Sequence, residues 1–91
     1  MFNKPTIETI KEIGGVYGLF LWNPSIGKYV CRYVGMTDNL RRRLMEHFNN
    51  PPIAGVTHFF AEALGALQQR IAREQQLILE FDPPGNKVGK A

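Results

Sequence analysis

The chain offers little sulfur chemistry. Cys31 is its one cysteine, so no internal disulfide can form and no CxxC pair is available to grip a metal. No apolar run reaches the length that would cross a bilayer, so no membrane partner is expected. The N-terminus lacks a charged-then-apolar signal pattern, which points to a cytoplasmic protein. There is no internal repeat and no low-complexity stretch, which excludes solenoids and compositional linkers. What remains is a globular balance: 91 residues, 44% hydrophobic and 21% charged, unlike a disordered chain. That length fits a single domain over 1–91, with a core expected from about 14 to 87. So small a domain buries a modest core, and a polar side chain on an apolar face therefore carries information. The net charge of +3 leans toward a polyanionic partner.

Apolar residues at Ile7, Ile10 and Ile13 suit a short helix or lead-in from Pro5 to Ile13, stopped by Gly14 and Gly15. Val16 to Trp22 is short, apolar, and rich in β-branched and aromatic residues, the composition of a well-buried strand. Asn23-Pro24-Ser25-Ile26-Gly27 is turn chemistry, and Lys28 to Gly35 reads as the second strand of an antiparallel hairpin. Strict alternation would place Tyr29, Cys31 and Tyr33 on one face and Val30, Arg32 and Val34 on the other. Thr37 or Asp38 can cap a helix over Asn39–Phe48, ended by Asn49-Asn50-Pro51-Pro52. A third strand is expected over Val56–Glu62 and a long helix over Leu64–Phe81, terminated by Pro83-Pro84-Gly85. The order predicts an α/β (α+β) domain: a small three-stranded, mainly antiparallel sheet flanked by helices.

Both longer helices break local rules. On the first, Leu40, Leu44 and Phe48 form the expected core stripe, Arg42 and Glu46 face solvent, Arg43 and His47 share one flank, and Arg41 takes the other. Three arginines crowd its first turn, where cations are unfavourable by roughly 0.3–1 kcal/mol each. A phosphate held at that end would account for them; so would solvated surface arginines tolerated at small cost. On the second helix, Leu67, Ile71 and Ile78 lie on a stripe flanked by Leu64 and Phe81, and Glu74 falls in its middle. A buried carboxylate needs a partner. Arg70, one turn back, and a divalent cation both qualify.

The hairpin strands contain Gly15-Val16-Tyr17 and Tyr33-Val34-Gly35. This pair resembles the tripeptides that name the GIY-YIG nuclease family, with valine in place of isoleucine in both. In that family an arginine follows the second tyrosine by ten residues, which selects Arg43 here, and one turn later comes a histidine or tyrosine, here His47. The run Glu74, Leu77-Ile78, Pro83 and Asn86 resembles the long helix of members like the bacterial excision-repair incision subunit. The likeness spans about Gly15 to Asn86. It departs at Met36, where repair-type members often carry a lysine.

The resemblance implies a metal-dependent endonuclease acting on DNA, in repair or on a mobile element. Glu74 would hold one Mg²⁺ or Mn²⁺, and Arg43 would neutralise phosphoryl charge. Tyr17 would act as the base and Tyr33 as its support. His47 would touch the phosphate or move protons, and Asn86 would lock the helix end against the site. Arg41 and Arg43, with Asn86, are the expected substrate contacts. A free tyrosine has a pKa of about 10, so the base role needs nearby positive charge. Two rivals stand beside this reading. One is a nucleic-acid-binding module without catalysis, for which Met36 is the sequence hint. The other is an interaction domain in which Arg70 and Glu74 form an ion pair. Specificity would come from DNA structure, from a homodimer, or from a partner protein.

Overall fold

The structure is a computed structural model describing residues 1–50 and 55–86. Its elements are α1 (Lys4–Glu8), β1 (Gly15–Asn23), β2 (Lys28–Thr37), α2 (Leu40–Asn49), β3 (His58–Ala63) and α3 (Leu67–Phe81), followed by a 3₁₀ turn at Pro84–Asn86. The strands form one antiparallel sheet in the order β2-β1-β3. The most apolar strand thus takes the centre, where both faces are covered, and the hairpin expected from the Asn23–Gly27 turn joins it to β2. Gly27 turns the corner at φ 63°, a conformation glycine adopts without a Cβ penalty. Among the described residues no helix is long and apolar enough to cross a membrane.

Each face of the sheet has its own core. On one, Tyr17 and Leu19 pack against Ile7 of α1 and Leu40 and Leu44 of α2. On the other, Val16, Cys31 and Val34 pack against Leu77 of α3. The hairpin register slips between Leu19 and Phe20, where a β-bulge on β2 makes Tyr33 the partner of Leu19 and Cys31 the partner of Phe20. A bulge inserts one residue and inverts the alternation beyond it. Cys31 therefore joins Val34 on the α3 side, while Tyr33 packs on the α2 side, which corrects the expectation that Tyr29, Cys31 and Tyr33 share a face. Burial pushes the Cys31 thiol up to about 11, so it behaves as a core group and not as a nucleophile.

Other boundaries move for local reasons. Asn39 caps α2, its side chain accepting from the Arg42 N–H. Thr37, expected as a cap, has its hydroxyl bonded instead to Asn39's backbone. The predicted stop at Pro51-Pro52 lies outside the described residues. Leu40 and Leu44 are buried as expected, but Phe48 rotates outward, meeting Phe2 edge-on at 5.7 Å, and His47 takes the third buried position of the helix. On α3 the expected core stripe holds only in part: Ile78 and the preceding Leu64 pack at the edge of the core, whereas Leu67, Ile71 and Phe81 are exposed. Leu67 is 55% and Ile71 37% exposed, while the buried side chain is Leu77. A helical wheel locates a stripe but not the neighbour it meets, and α3 sets Leu77, 100° from Ile78, onto Val16 and Val34. Glu74 accordingly sits half-buried beside the core and not within it.

Candidate active site

The sheet fixes Tyr17 in the middle of its most protected strand, opposite Gly35 of β2. The tyrosine ring lies across Gly35, where an added Cβ would run into its hydroxyl and ring carbons. The glycine thus lets Tyr17 carry its hydroxyl from the central strand toward β2's outer edge. Gly35→Ala is expected to lower stability by about 1–3 kcal/mol through overpacking, read as a fall in Tm. An unchanged Tm would show that the ring has room to spare.

Three side chains meet the Tyr17 hydroxyl. His47 Nε2 lies 2.7 Å away. His47 is 5% exposed, and burial, helped by Arg43's positive charge, pulls its pKa down to about 4. At neutral pH it is an uncharged imidazole able to accept. Tyr17 is held well above the ordinary tyrosine range by burial and then by Tyr33, against the opposing pull of Arg43. Tyr17 therefore keeps its proton, and when the imidazole proton is on Nδ1 the hydroxyl donates to His47 Nε2. The Arg43 guanidinium acts on the same hydroxyl as a donor, and its Nη1 also donates to Glu46 Oε1 at 3.0 Å. Tyr33 completes the group, its ring centroid 6.2 Å from Tyr17's and 5.8 Å from that of His47. The arrangement is a hydrogen-bonded sequence running from a cation through a phenol to a neutral base.

The three arginines of α2 fan apart. Arg41 donates from Nε to the Ile10 carbonyl and pairs with Glu12, which takes it away from the Tyr17 group. Arg42 pairs with Asp38 at 2.6 Å and with Glu46. Only Arg43 faces the tyrosine. Arg70 donates to the carbonyls of Leu64 and Gly65, tying down the segment before α3. Glu74 comes from α3, on the sheet face opposite α2, with the edge strand β2 between the two helices. Asn86 clamps that edge: its Oδ1 accepts from Val34 N–H at 2.8 Å and its Nδ2 donates to Val34 C=O at 2.7 Å. It thereby satisfies the backbone groups a lone edge strand leaves unpaired and fixes the chain after α3 to the strand bearing Tyr33. Met36 lies at the end of β2 opposite Val16 and brings no titratable group.

Glu46 is the neighbour the sequence reading missed. Its i,i+4 spacing from Arg42 suggested a solvent-facing pair, but the shorter contact is to Arg43 at i,i+3. The spacing was visible in the sequence; which arginine would win was not.

No protein-family model matches this chain, and no curated protein does. Solved structures do match. The GIY-YIG N-terminal endonuclease domain of UvrC from Thermotoga maritima, bound to its catalytic divalent cation magnesium, superposes with a TM-score of 0.67 at 20% identity, covering 91% of this chain and 98% of that one. Two point-mutant forms of the same domain, each bound to its catalytic divalent cation, superpose at TM-scores of 0.66 and 0.68 with 22% and 19% identity, each again covering 91% of this chain. With its β2-β1-β3 antiparallel sheet and flanking helices, the chain has the fold of a GIY-YIG endonuclease domain.

Proposed function

We propose that this chain is a divalent-metal-dependent endonuclease that hydrolyses DNA phosphodiester bonds. The observation that carries the reading is the sharing of one buried hydroxyl, Tyr17, by a phosphate-suited guanidinium and a neutral imidazole. Support comes from the fold, whose solved neighbours are endonuclease domains bound to a catalytic divalent cation.

The donor chemistry fits a hard cation. Glu74 offers a half-buried carboxylate, and no cluster of three His, Cys, Asp or Glu occurs among the described residues. One carboxylate, with water and substrate phosphate, suits Mg²⁺ or Mn²⁺ better than metals that demand a closed protein cage. Glu74 would hold that cation, which supplies charge stabilisation at the leaving oxygen. Arg43 leaves Glu46 for the phosphoryl oxygens, a contact its rigid fork of donors suits. Because burial keeps Tyr17 protonated, its base role is a relay. The attacking water gives a proton to the Tyr17 oxygen as the Tyr17 proton passes to His47 Nε2, and no free tyrosinate forms. An arriving phosphate offsets the Arg43 charge that weakens His47 as a base. Tyr33 orients the water, and Asn86 acts by positioning β2. DNA as substrate, a homodimer or partner supplying specificity, and a cytoplasmic setting belong to the same proposal.

The test is nicking of supercoiled plasmid with Mg²⁺ or Mn²⁺, with a chelator control and Glu74→Ala in parallel. Nicking that needs the metal and disappears in Glu74→Ala is expected. Activity that survives Glu74→Ala would sink the metal assignment. Binding without cleavage under either metal would favour the catalytically inactive module.

A further inference from the structure

At the turn end of the hairpin the sheet face shared with α3 runs on past the helix. Phe81, the last residue of α3, meets Phe20 edge-on at 5.8 Å. Beyond it Trp22 and Tyr29 pack with centroids 4.8 Å apart and planes tilted by 59°, and Tyr29 meets His58 of β3 edge-to-face at the same distance. Trp22 is 40% and Tyr29 56% exposed. Next to them is an open hollow of about 290 Å³ lined by Phe20, Tyr29, His58, Phe59 and Phe60. Its walls are entirely aromatic rings. An aliphatic partner helix or a second core would be met by leucine and isoleucine; flat, sequence-tolerant stacking is what rings offer.

The charge around this end has one sign along the strands. From Ile13 to Thr37 the charged residues are Lys28 and Arg32, with no aspartate or glutamate, and Val56 to Ala61 carries no acid. Arg32, in the bulge of β2, keeps a buried Nε with no hydrogen-bond partner among the described residues. The nearby acids, Glu80 and Asp82, flank Phe81 at the end of α3, which leaves the hairpin side open to a polyanion.

We propose that Trp22, Tyr29 and His58 form a stacking platform for an unpaired base of the nucleic-acid substrate. The inference rests on the nuclease reading for its class of ligand and deepens it: the substrate carries a single-stranded stretch beside the cleavage point. Tyr29 and Tyr33 lie opposite Trp22 and Leu19, three residues apart on β1, so they are about 10 Å apart along the sheet, well inside the footprint of one bound strand. The bulge sets the two tyrosines on opposite faces, so a strand joining them rounds β2's outer edge.

Trp22 is the only tryptophan, so its fluorescence reports the platform directly. The full chain, in chelator, would be titrated with single-stranded oligodeoxythymidine and with a blunt duplex of equal length. Single strand should quench Trp22 at concentrations where the duplex does not. Tyr29→Ala should weaken single-strand binding about tenfold, and Tyr29→Phe should restore it. Absence of quenching, an equal response to duplex, or unaltered binding by Tyr29→Ala would overturn the platform. So would emission that changes with protein concentration alone, which would mean a second copy covers the rings. Plasmid nicking by the same preparations separates the two proposals: quenching without nicking keeps the platform and removes hydrolysis, and nicking without quenching does the reverse.

Discussion

Arg43→Ala is expected to slow metal-dependent plasmid nicking about 10²–10³-fold while leaving the fold nearly as stable as before. The size of the rate effect follows from removing a donor aimed at charge that develops in the transition state. The small effect on stability follows from the surroundings. The Arg43 side chain is partly exposed and its ion pair with Glu46 lies at the surface, where such pairs contribute about 0–1 kcal/mol. Tyr17 keeps His47 as its hydrogen-bond partner when Arg43 is gone. Arg43→Lys should recover charge but little rate, since an ammonium offers a point charge in place of a planar fork. The paired measurement is single-turnover nicking beside thermal melting. A large drop in Tm with a proportionate drop in rate would make Arg43 a structural residue. Full activity in Arg43→Ala would remove it from the mechanism.

Glu46 bears on the phosphate-binding role proposed for Arg43. In the free protein the guanidinium is divided between Glu46 and Tyr17, which holds the arginine in place before substrate arrives. The pair is exposed and cheap to break, so a phosphate can replace the carboxylate with little loss. Orientation without commitment is what a phosphate-binding arginine at a surface site requires.

The parts of this arrangement differ in how well they could be read from the chain. Element order and the hairpin follow from local pattern: a 3.6-residue period and turn chemistry at Asn23–Gly27. That period leaves Arg41 and Arg43 both open on α2, and the family resemblance is what selects Arg43. The roles of Cys31, Leu77 and Glu74 depend on information that pattern lacks. A bulge at Leu19/Phe20 has no glycine or proline to announce it, yet it reverses the faces of everything on β2 before Arg32. The roll of α3 is set by how Leu77 fits between Val16 and Val34, a three-body fit that no periodicity in α3 encodes. Glu74 stands out in sequence as a carboxylate inside an apolar stripe, but that stripe is core-facing only at Leu64 and Ile78 and exposed at Leu67, Ile71 and Phe81. Its candidacy as the metal ligand therefore stands on its place in a GIY-YIG fold and its half-buried carboxylate, and no longer on a cost of burial. Gly35 shows the opposite case. The family tripeptide ends in glycine, and the structure supplies the reason in the ring that crosses it.

His47 should make the protein acid-sensitive in a defined window. Its pKa falls from about 6.5 in the unfolded chain to about 4 in the folded one, because burial and Arg43 both oppose the charged imidazole. Between those values the unfolded state binds the extra proton, so stability rises with pH. The contribution is complete above about pH 6.5 and is lost as pH falls toward 4, amounting to about 3 kcal/mol at the acid end. Carboxylates add their own acid losses, so the comparison is with His47→Gln, whose amide can still accept from Tyr17 but cannot titrate. Denaturant unfolding at pH 7 and pH 4 should show the wild type losing about 3 kcal/mol more than the variant across that interval. Equal losses would mean that His47 is charged or solvated in the folded protein. A charged His47 could not accept the Tyr17 proton, so this stability experiment, which needs neither metal nor DNA, tests the relay at its base. The same depressed pKa keeps the acceptor neutral throughout the physiological range, so protonation of His47 should leave nicking near neutral pH unaffected.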